Sequence, residues 1–448
     1  MDTTQSPISQ VTKRLRATSP RSVAIHEEAA KVMAAEIVGT VEIACPAYIQ
    51  SASGSRLTDV DGKEYIDLTM GFGPHVLGHR PAAVEKALAD QITRGWHWGI
   101  HNPLQHRLGE LLVEAAPCGE QVVFCNTGTE ATMYAIRAAR AFTGKSVVAV
   151  FDGSYHGVHD YALLVAERSS DRHAPAPRRR GAGIPSEILE TVTMLPYNDE
   201  AAFDIIRGNR DRLAAVLVEP VQSSNPRTDI GPWLRGLGEA CREAGVLLIV
   251  DEVITGFRLA YGGGQEYFDV HADLATYGKA LGGGLPIGAV AGRTEVMSVF
   301  NTGTGQARPI FSGGTFSGNP LTMAAGIAAL TEMRDTPDLY TRLNGLGDRL
   351  AEGINRHASR HNMPVTMMNA GSMFHLRFAE GQIRSSRDIT SRYVEAETVF
   401  YQHLQERGVL VPGIHLAFVS AAHSDADVDA VLAAATASLD ALRNDGLI

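Results

Sequence analysis

Cysteine is scarce in this chain: the four residues Cys45, Cys118, Cys125 and Cys241 are scattered, and none forms a C-x-x-C pair. That pattern argues against a disulfide framework and against a zinc site, so no metal is expected, and it fits a reducing cytosol. Long apolar runs are also missing. No stretch reaches the length of a membrane span, and the opening MDTTQSPISQVTKRLRATSPRS has no apolar core of the signal-peptide kind. A cytoplasmic location with no membrane partner is the expectation. Basic charge is not in excess either. A formal net charge of −10 provides no global field for nucleic acid or anionic lipid, and the run Arg178, Arg179, Arg180 reads as a local loop. There is no internal repeat and no long low-complexity segment. What is present is 448 residues of ordinary globular composition, long enough for two or more substructures and a sizeable core.

The first residues, to about Ser22, are polar and rich in Ser and Thr, and they read as a disordered arm or one laid across a partner. Ala24–Val38 has helical apolar spacing. Ser53–Gly71 reads as a hairpin, with Asp61 and Gly62 in the turn between Arg56–Val60 and Glu64–Leu68. Pro81–Ile92 and Leu104–Ala116 read as helices. From Gln121 onward apolar runs alternate with helical segments: Gln121–Cys125, Ser146–Phe151, Leu213–Val218, Gly245–Val250 and Ile287–Ala291, with Glu130–Thr143 and Pro232–Ala244 among the helices. Continuous apolar strands alternating with helices predict a mostly parallel sheet covered on both faces. After Pro320 come helices at Thr322–Met333 and Leu339–Ser359, short strands at Ser372–Phe378 and Val409–Val411, and a last helix from Asp425. The expected division is therefore a segment 1–70 that packs with a small domain, a large domain 71–325 and a small α+β domain 326–448.

Ligands of such sheets bind at the carboxyl ends of the strands, and four polar clusters fall there. Asn126–Glu130 opens a helix whose free N–H groups and dipole suit an anion, with Gly128 allowing close approach; equally, Thr127 or Thr129 with Glu130 simply starts a helix. Tyr155 and His156, in DGSYHGVHD, can stack on and support an aromatic ring, or merely pack. Glu219 and Gln222 follow the next strand, where Gln222 can bond a ring hydroxyl or serve a turn. Asp251 ends VLLIVD, and Lys279 precedes Gly282, Gly283 and Gly284. An aspartate facing a pyridine nitrogen keeps that nitrogen protonated, and a lysine can form a Schiff base and then carry a proton, which together suit pyridoxal 5'-phosphate. The competing reading of Lys279 is a surface lysine beside a flexible loop. Val253 is placed to pack on the other ring face. Thr315, in a Gly- and Ser-rich loop, can reach a phosphate or merely precede a helix.

The motifs NTGTEA, DGSYHG, EPVQ, DEVITGFR, YGKALGGGLPIGA and GGTFSGNP resemble the class III pyridoxal-phosphate aminotransferases, and most of all the glutamate-semialdehyde aminomutase branch. The likeness runs from about Arg56 to Ser420, with the motifs in family order. It implies an α/β PLP-dependent transferase of fold type I: a large domain with a mostly parallel seven-stranded sheet between helices, a smaller α+β domain, and a homodimer with shared active sites. It also implies roles. Lys279 is the Schiff-base lysine, Asp251 the nitrogen partner and Tyr155 the ring-stacking residue. Thr127, Gly128 and Thr129 hold the phosphate, joined by Thr315 of the partner subunit; the strand-end reading adds His156, Glu219, Gln222 and Val253 to the expected cofactor set.

Two departures touch the substrate side. Where the aminomutases carry a PGGVNSPVRAF-like stretch, this chain has VEIACPAYIQSASGS (Val41–Ser55), with no arginine before Arg56; where they carry F-E-A-G-F, it has Ile414–Phe418, with His415 replacing the glutamate. The expectation is therefore an aminotransferase moving an amino group from a donor such as glutamate to a keto or aldehyde acceptor. EPVQSSNP and DEVITGFR also resemble aminotransferase domains of assembly lines, suggesting specialised metabolism. The alternatives are aminomutase-type intramolecular transfer, a racemase, or a non-catalytic partner protein, the last disfavoured by intact Lys279 and Asp251. Trp96, Trp98 and His101, in RGWHWGIHNP, either line the substrate pocket or pack as aromatic core. Arg168–Ile184 reads as a long loop able to reach over the crevice, or as exposed basic surface.

Overall fold

The computed structural model describes residues 7–34, 45–301, 310–381, 383–389, 392–411, 413 and 416–448. His415 lies outside them.

Seven strands form the central sheet, numbered in chain order: β1 Gln121–Cys125, β2 Val147–Phe151, β3 Val192–Leu195, β4 Leu213–Val218, β5 Leu247–Asp251, β6 Leu274–Gly278 and β7 Gly288–Gly292. Their spatial order is β1-β7-β6-β5-β4-β2-β3. The pairs from β6 to β3 are parallel, and β7 runs antiparallel to both neighbours. The expected fold is thus borne out. The five expected runs are strands, and two more, β3 and β6, complete the sheet. In β2, β4, β5, β6 and β7 every residue is buried, as strands covered on both faces require. Each fully buried Val, Leu or Ile among them contributes about 1.5–3 kcal/mol.

The helix α1, Gly128–Thr143, lays Ala131, Ala135, Ala138 and Ala139 against this sheet. Small side chains at helical spacing let the helix approach closely. It stops at Gly144, whose φ of 70° any side chain would strain.

The chain divides into two compact units, one of residues 82–340 with 385–387 and one of residues 1–81, 341–384 and 388–448. The boundary expected at 325/326 falls inside the continuous helix Pro320–Asp335, and that expected at 70/71 precedes the break at Pro81. In the second unit the hairpin strands Arg56–Asp59 and Glu64–Asp67 pair antiparallel, and Val409–Leu410 adds in parallel. The first residues depart from expectation. Pro7–Thr18 and Pro20–Ala29 are helices, because Val11 and Leu15 are buried and the Asp61 carboxylate accepts from the Arg21 and Ser22 N–H groups at the second helix's start. The helix expected over Ala24–Val38 ends at Ala29. The segment 168–184 is also not a plain loop: Pro177–Arg179 pairs antiparallel with Leu164–Ala166. Among the described residues no helix is long and apolar enough to cross a membrane.

Candidate active site

Asp251 is the last residue of β5, and the ladder pairs it with Thr276 of β6. Lys279 lies three residues beyond Thr276, at most about 10 Å further along the chain. A separation of nearly thirty residues in sequence thus becomes neighbouring strand ends. Asp251 is buried and held from three sides. His156 Nδ1 is 2.7 Å from Oδ2; Thr276 Oγ1 donates at 3.0 Å and the Val253 N–H at 3.1 Å, both to Oδ1. His156 is itself buried, and its Nε2 has no hydrogen-bond partner among the described residues.

Lys279 begins the turn after β6 with a φ of 45°, a left-handed backbone that costs a residue with a Cβ about 1–3 kcal/mol and marks functional positions. Burial lowers its amine from 10.5 to about 8, assisted by the charge of Arg258 and opposed by Asp251 and Glu219. Gly283 and Gly284 follow at φ 58° and 100°. Gly283 also lies so close to Ala325 that a Cβ would meet its carbonyl oxygen at 2.7 Å.

α1 reaches the same place from β1. Thr127 caps it by accepting from the Glu130 N–H at 3.1 Å, which leaves the first-turn N–H groups pointing outward. A Cβ on Gly128 would meet Val253 Cγ1 at 2.8 Å, and one on Gly157 would meet Thr129 Oγ1 at 2.6 Å. The helix N-terminus, Val253 and the turn after β2 therefore converge with no room for larger residues. Thr132, one turn inside, donates to the His156 carbonyl at 2.7 Å.

The turn after β2 carries Tyr155, whose side chain is 43% exposed rather than buried in core. Glu219, at the end of β4, accepts the Tyr155 N–H at 3.0 Å. Burial raises Glu219 to about 7, with His156 opposing the rise. Gln222 is fully buried, and its amide nitrogen donates to the Asp152 carbonyl at 2.6 Å and to Ser154 Oγ at 3.1 Å. Through its amide nitrogen it braces the turn.

The other expected residues are further out. Thr315 is exposed in the loop that Tyr134 ties down through Gly313. Trp96 and Trp98 are exposed at 62% and 42%, which removes core packing as their role. His101 lines a 790 Å³ cavity with Gln105, Val123 and Phe300. Three contributors escaped sequence reasoning: Thr132, Thr276 and the fully buried Arg258. The register of β5 on β6 would have exposed Thr276 had β6 been recognised as a strand.

A planar ring with a phosphate and a basic nitrogen fits these residues. The helix N-terminus offers donors to the phosphate, Tyr155 and Val253 suit the ring, the braced carboxylate suits the nitrogen, and a buried low-pKa amine follows the neighbouring strand.

The family model described as "Aminotransferase class-III" matches residues 39–435. A glutamate-1-semialdehyde 2,1-aminomutase of Desulforapulum autotrophicum is 39% identical over 428 residues, covering 93% of this chain and 97% of the relative. One from Methanocaldococcus jannaschii is 37% identical over 423 residues, covering 92% and 96%. Among solved structures, an omega-transaminase from Sphaerobacter thermophilus superposes with a TM-score of 0.88 at 32% identity, covering 94% of this chain and 98% of that one. A beta-phenylalanine aminotransferase from Variovorax paradoxus gives 0.88 at 29% identity, covering 98% of each.

Proposed function

Since this chain belongs to the class-III aminotransferase family, we propose that it moves amino groups on pyridoxal 5'-phosphate, and that the transfer is of the intramolecular, glutamate-1-semialdehyde type. The observation that carries the finer statement is the name shared by relatives 37–39% identical over more than nine-tenths of this chain. The residues alone favour a separate donor and acceptor; the relatives favour the intramolecular transfer.

When bound, pyridoxal phosphate supplies an aldehyde for the amine and a ring that accepts electrons from the α-carbon. The chain's own groups do the rest. Lys279 holds the cofactor covalently and, once released, carries the proton at the substrate carbon; an amine at about 8 is partly neutral near neutral pH, as a base must be. Asp251, oriented by His156, Thr276 and the Val253 N–H, holds the ring nitrogen. Tyr155 and Val253 would pack on the ring. Thr127, Gly128 and Thr129 take the phosphate, with Thr315 of the partner subunit in a homodimer. The exposed Trp96, Trp98, Phe311 and Phe316 support such an interface.

A second reading, transfer between a separate donor and acceptor, is favoured by the substituted Val41–Ser55 stretch and His415 and by the likeness to the two transaminases. Purified protein is supplied with pyridoxal phosphate and glutamate-1-semialdehyde alone. Formation of aminolevulinate is expected. Turnover only when a keto or aldehyde acceptor is added would replace the first reading with the second, and a protein that takes up no cofactor would end both.

A further inference from the structure

Ser385–Arg387 leaves the sequence around it and belongs to the unit of residues 82–340. Those three residues meet the turn after β2. Arg387 Nε donates to Asp152 Oδ2 at 2.7 Å, Nη1 to the Ser170 carbonyl at 2.8 Å and Nη2 to Ser170 Oγ at 3.2 Å. The Arg387 and Asp152 side chains are only 11% and 15% exposed, so this is an ion pair well sheltered from solvent. Ser386 lies against Gly153: a Cβ there would meet Ser386 Cβ at 2.6 Å, and Gly153 has a φ of 84°. Arg172 donates back to Ser385 Oγ at 3.1 Å.

The geometry gives these contacts a shared purpose. The turn 152–156 carries Tyr155 and His156. Its backbone is held from the β4 side by Gln222 at the Asp152 carbonyl, by Ser224 Oγ at the Gly153 carbonyl and by Glu219 at the Tyr155 N–H. Arg387 grips the same turn from the opposite partner set, through the Asp152 side chain, while its other two nitrogens hold Ser170 at the start of the ribbon 168–184. A guanidinium fork can make these bonds at once, and an ammonium cannot.

We propose that Arg387 is a positioning residue for amino transfer, locking the Tyr155–His156 turn and the start of the 168–184 ribbon together. This role rests on the cofactor reading above, because the turn matters to the reaction only if Tyr155 and His156 meet the ring and Asp251. Arg387 itself acts through Asp152 and Ser170.

Hydrogen exchange of the cofactor-free full chain tests the lock without relying on turnover. In Arg387→Met, amides of 152–157 and of 168–172 are expected to exchange on the order of tenfold faster, with those of β5 unchanged. The dissociation constant of pyridoxal phosphate, read by fluorescence titration, is expected to rise on the order of tenfold. Arg387→Lys retains a cation for Asp152 and loses the fork, so 152–157 should stay near wild type while 168–172 loosens; this variant also serves if the methionine variant fails to fold. Wild-type exchange in both segments of both variants overturns the proposal. So does a uniform rise that includes β5, which is general destabilisation. Wild-type protein that takes up no pyridoxal phosphate overturns the cofactor reading separately, and the exchange rates still decide the lock.

Discussion

The two sides of the candidate crevice are built differently. On the side of Asp251, every functional group is buried or braced: the carboxylate by three donors, the Tyr155 turn by Glu219 and Gln222, and the helix start by Thr127. Among the residues expected to meet substrate, Trp96, Trp98 and His101 are exposed. Chemistry that needs fixed protonation and orientation is placed where low dielectric and hydrogen bonds hold it. Groups that select a substrate sit where substitution costs little stability.

The contrast is most easily broken at Lys279. On the function proposed above, Lys279→Ala removes the covalent anchor and the proton carrier together, so turnover should fall by at least on the order of 10²–10⁴-fold, the usual share of proton transfer alone. Folding should persist, because the phosphate donors at the start of α1 and the apolar sheet are untouched. Circular dichroism with a turnover assay checks both. Near wild-type turnover would mean that another lysine does the work.

A smaller effect concerns stability. Burial and Arg258 lower the Lys279 amine from 10.5 to about 8 in the folded cofactor-free protein. Between those values the unfolded chain binds more protons than the folded one, so stability rises with pH across about 8 to 10.5. Below about 8 the amine is charged in both states and the benefit is absent. Lys279→Met lacks this dependence. Its melting temperature relative to wild type should therefore be highest near pH 7 and decline as pH rises toward 10. A difference that stays flat over that range would place the amine in solvent, and with it remove Lys279 from the braced side.

Much of this architecture was legible in the residues. Continuous apolar runs disclosed β1, β2, β4, β5 and β7, and the polar clusters after them disclosed the crevice. β3 was hidden because Val192–Leu195 is four residues long with a threonine inside it, too short for periodicity to register. β6 was hidden because LATYG is short, ends in glycine and leads straight into Lys279 and a glycine run, the composition of a loop. The first helices were missed since Val11 and Leu15 are sparse in a polar segment and their burial depends on partners distant in sequence. At the site, residue type and motif pointed to Asp251, Lys279 and Tyr155. They could not disclose that Gln222 turns its amide to Asp152, or that Arg387 reaches the same turn, because nothing local in sequence encodes a contact 235 residues away.

The mildest test lies at the edge of the two sides, in the ribbon 168–184. Pairing of Pro177–Arg179 with the preceding strand Leu164–Ala166 delivers Arg180, whose N–H donates to the Leu163 carbonyl at 2.9 Å. Burial raises the Tyr155 hydroxyl, and the charge of Arg180 pulls it back down, so this guanidinium lies within electrostatic reach of Tyr155. A substrate carboxylate beside Tyr155 would meet it, and no arginine precedes Arg56 in the stretch where the aminomutases carry one. A charge-assisted hydrogen bond of about 1.5–3 kcal/mol corresponds to roughly a 10- to 100-fold effect on binding. Arg180→Gln is therefore expected to raise the KM of carboxylate substrates about tenfold while the cofactor's absorbance band stays put, since no phosphate or nitrogen partner is lost. Excision of the exposed residues His173 and Ala174, which lie outside the pairing of Leu164–Ala166 with Pro177–Arg179, should change KM by less than about twofold. If the excision rather than the arginine substitution weakened binding, the ribbon would act as a cover over the crevice. If neither did, this edge would belong with the exposed surface, and carboxylate recognition would have to come from a cation elsewhere.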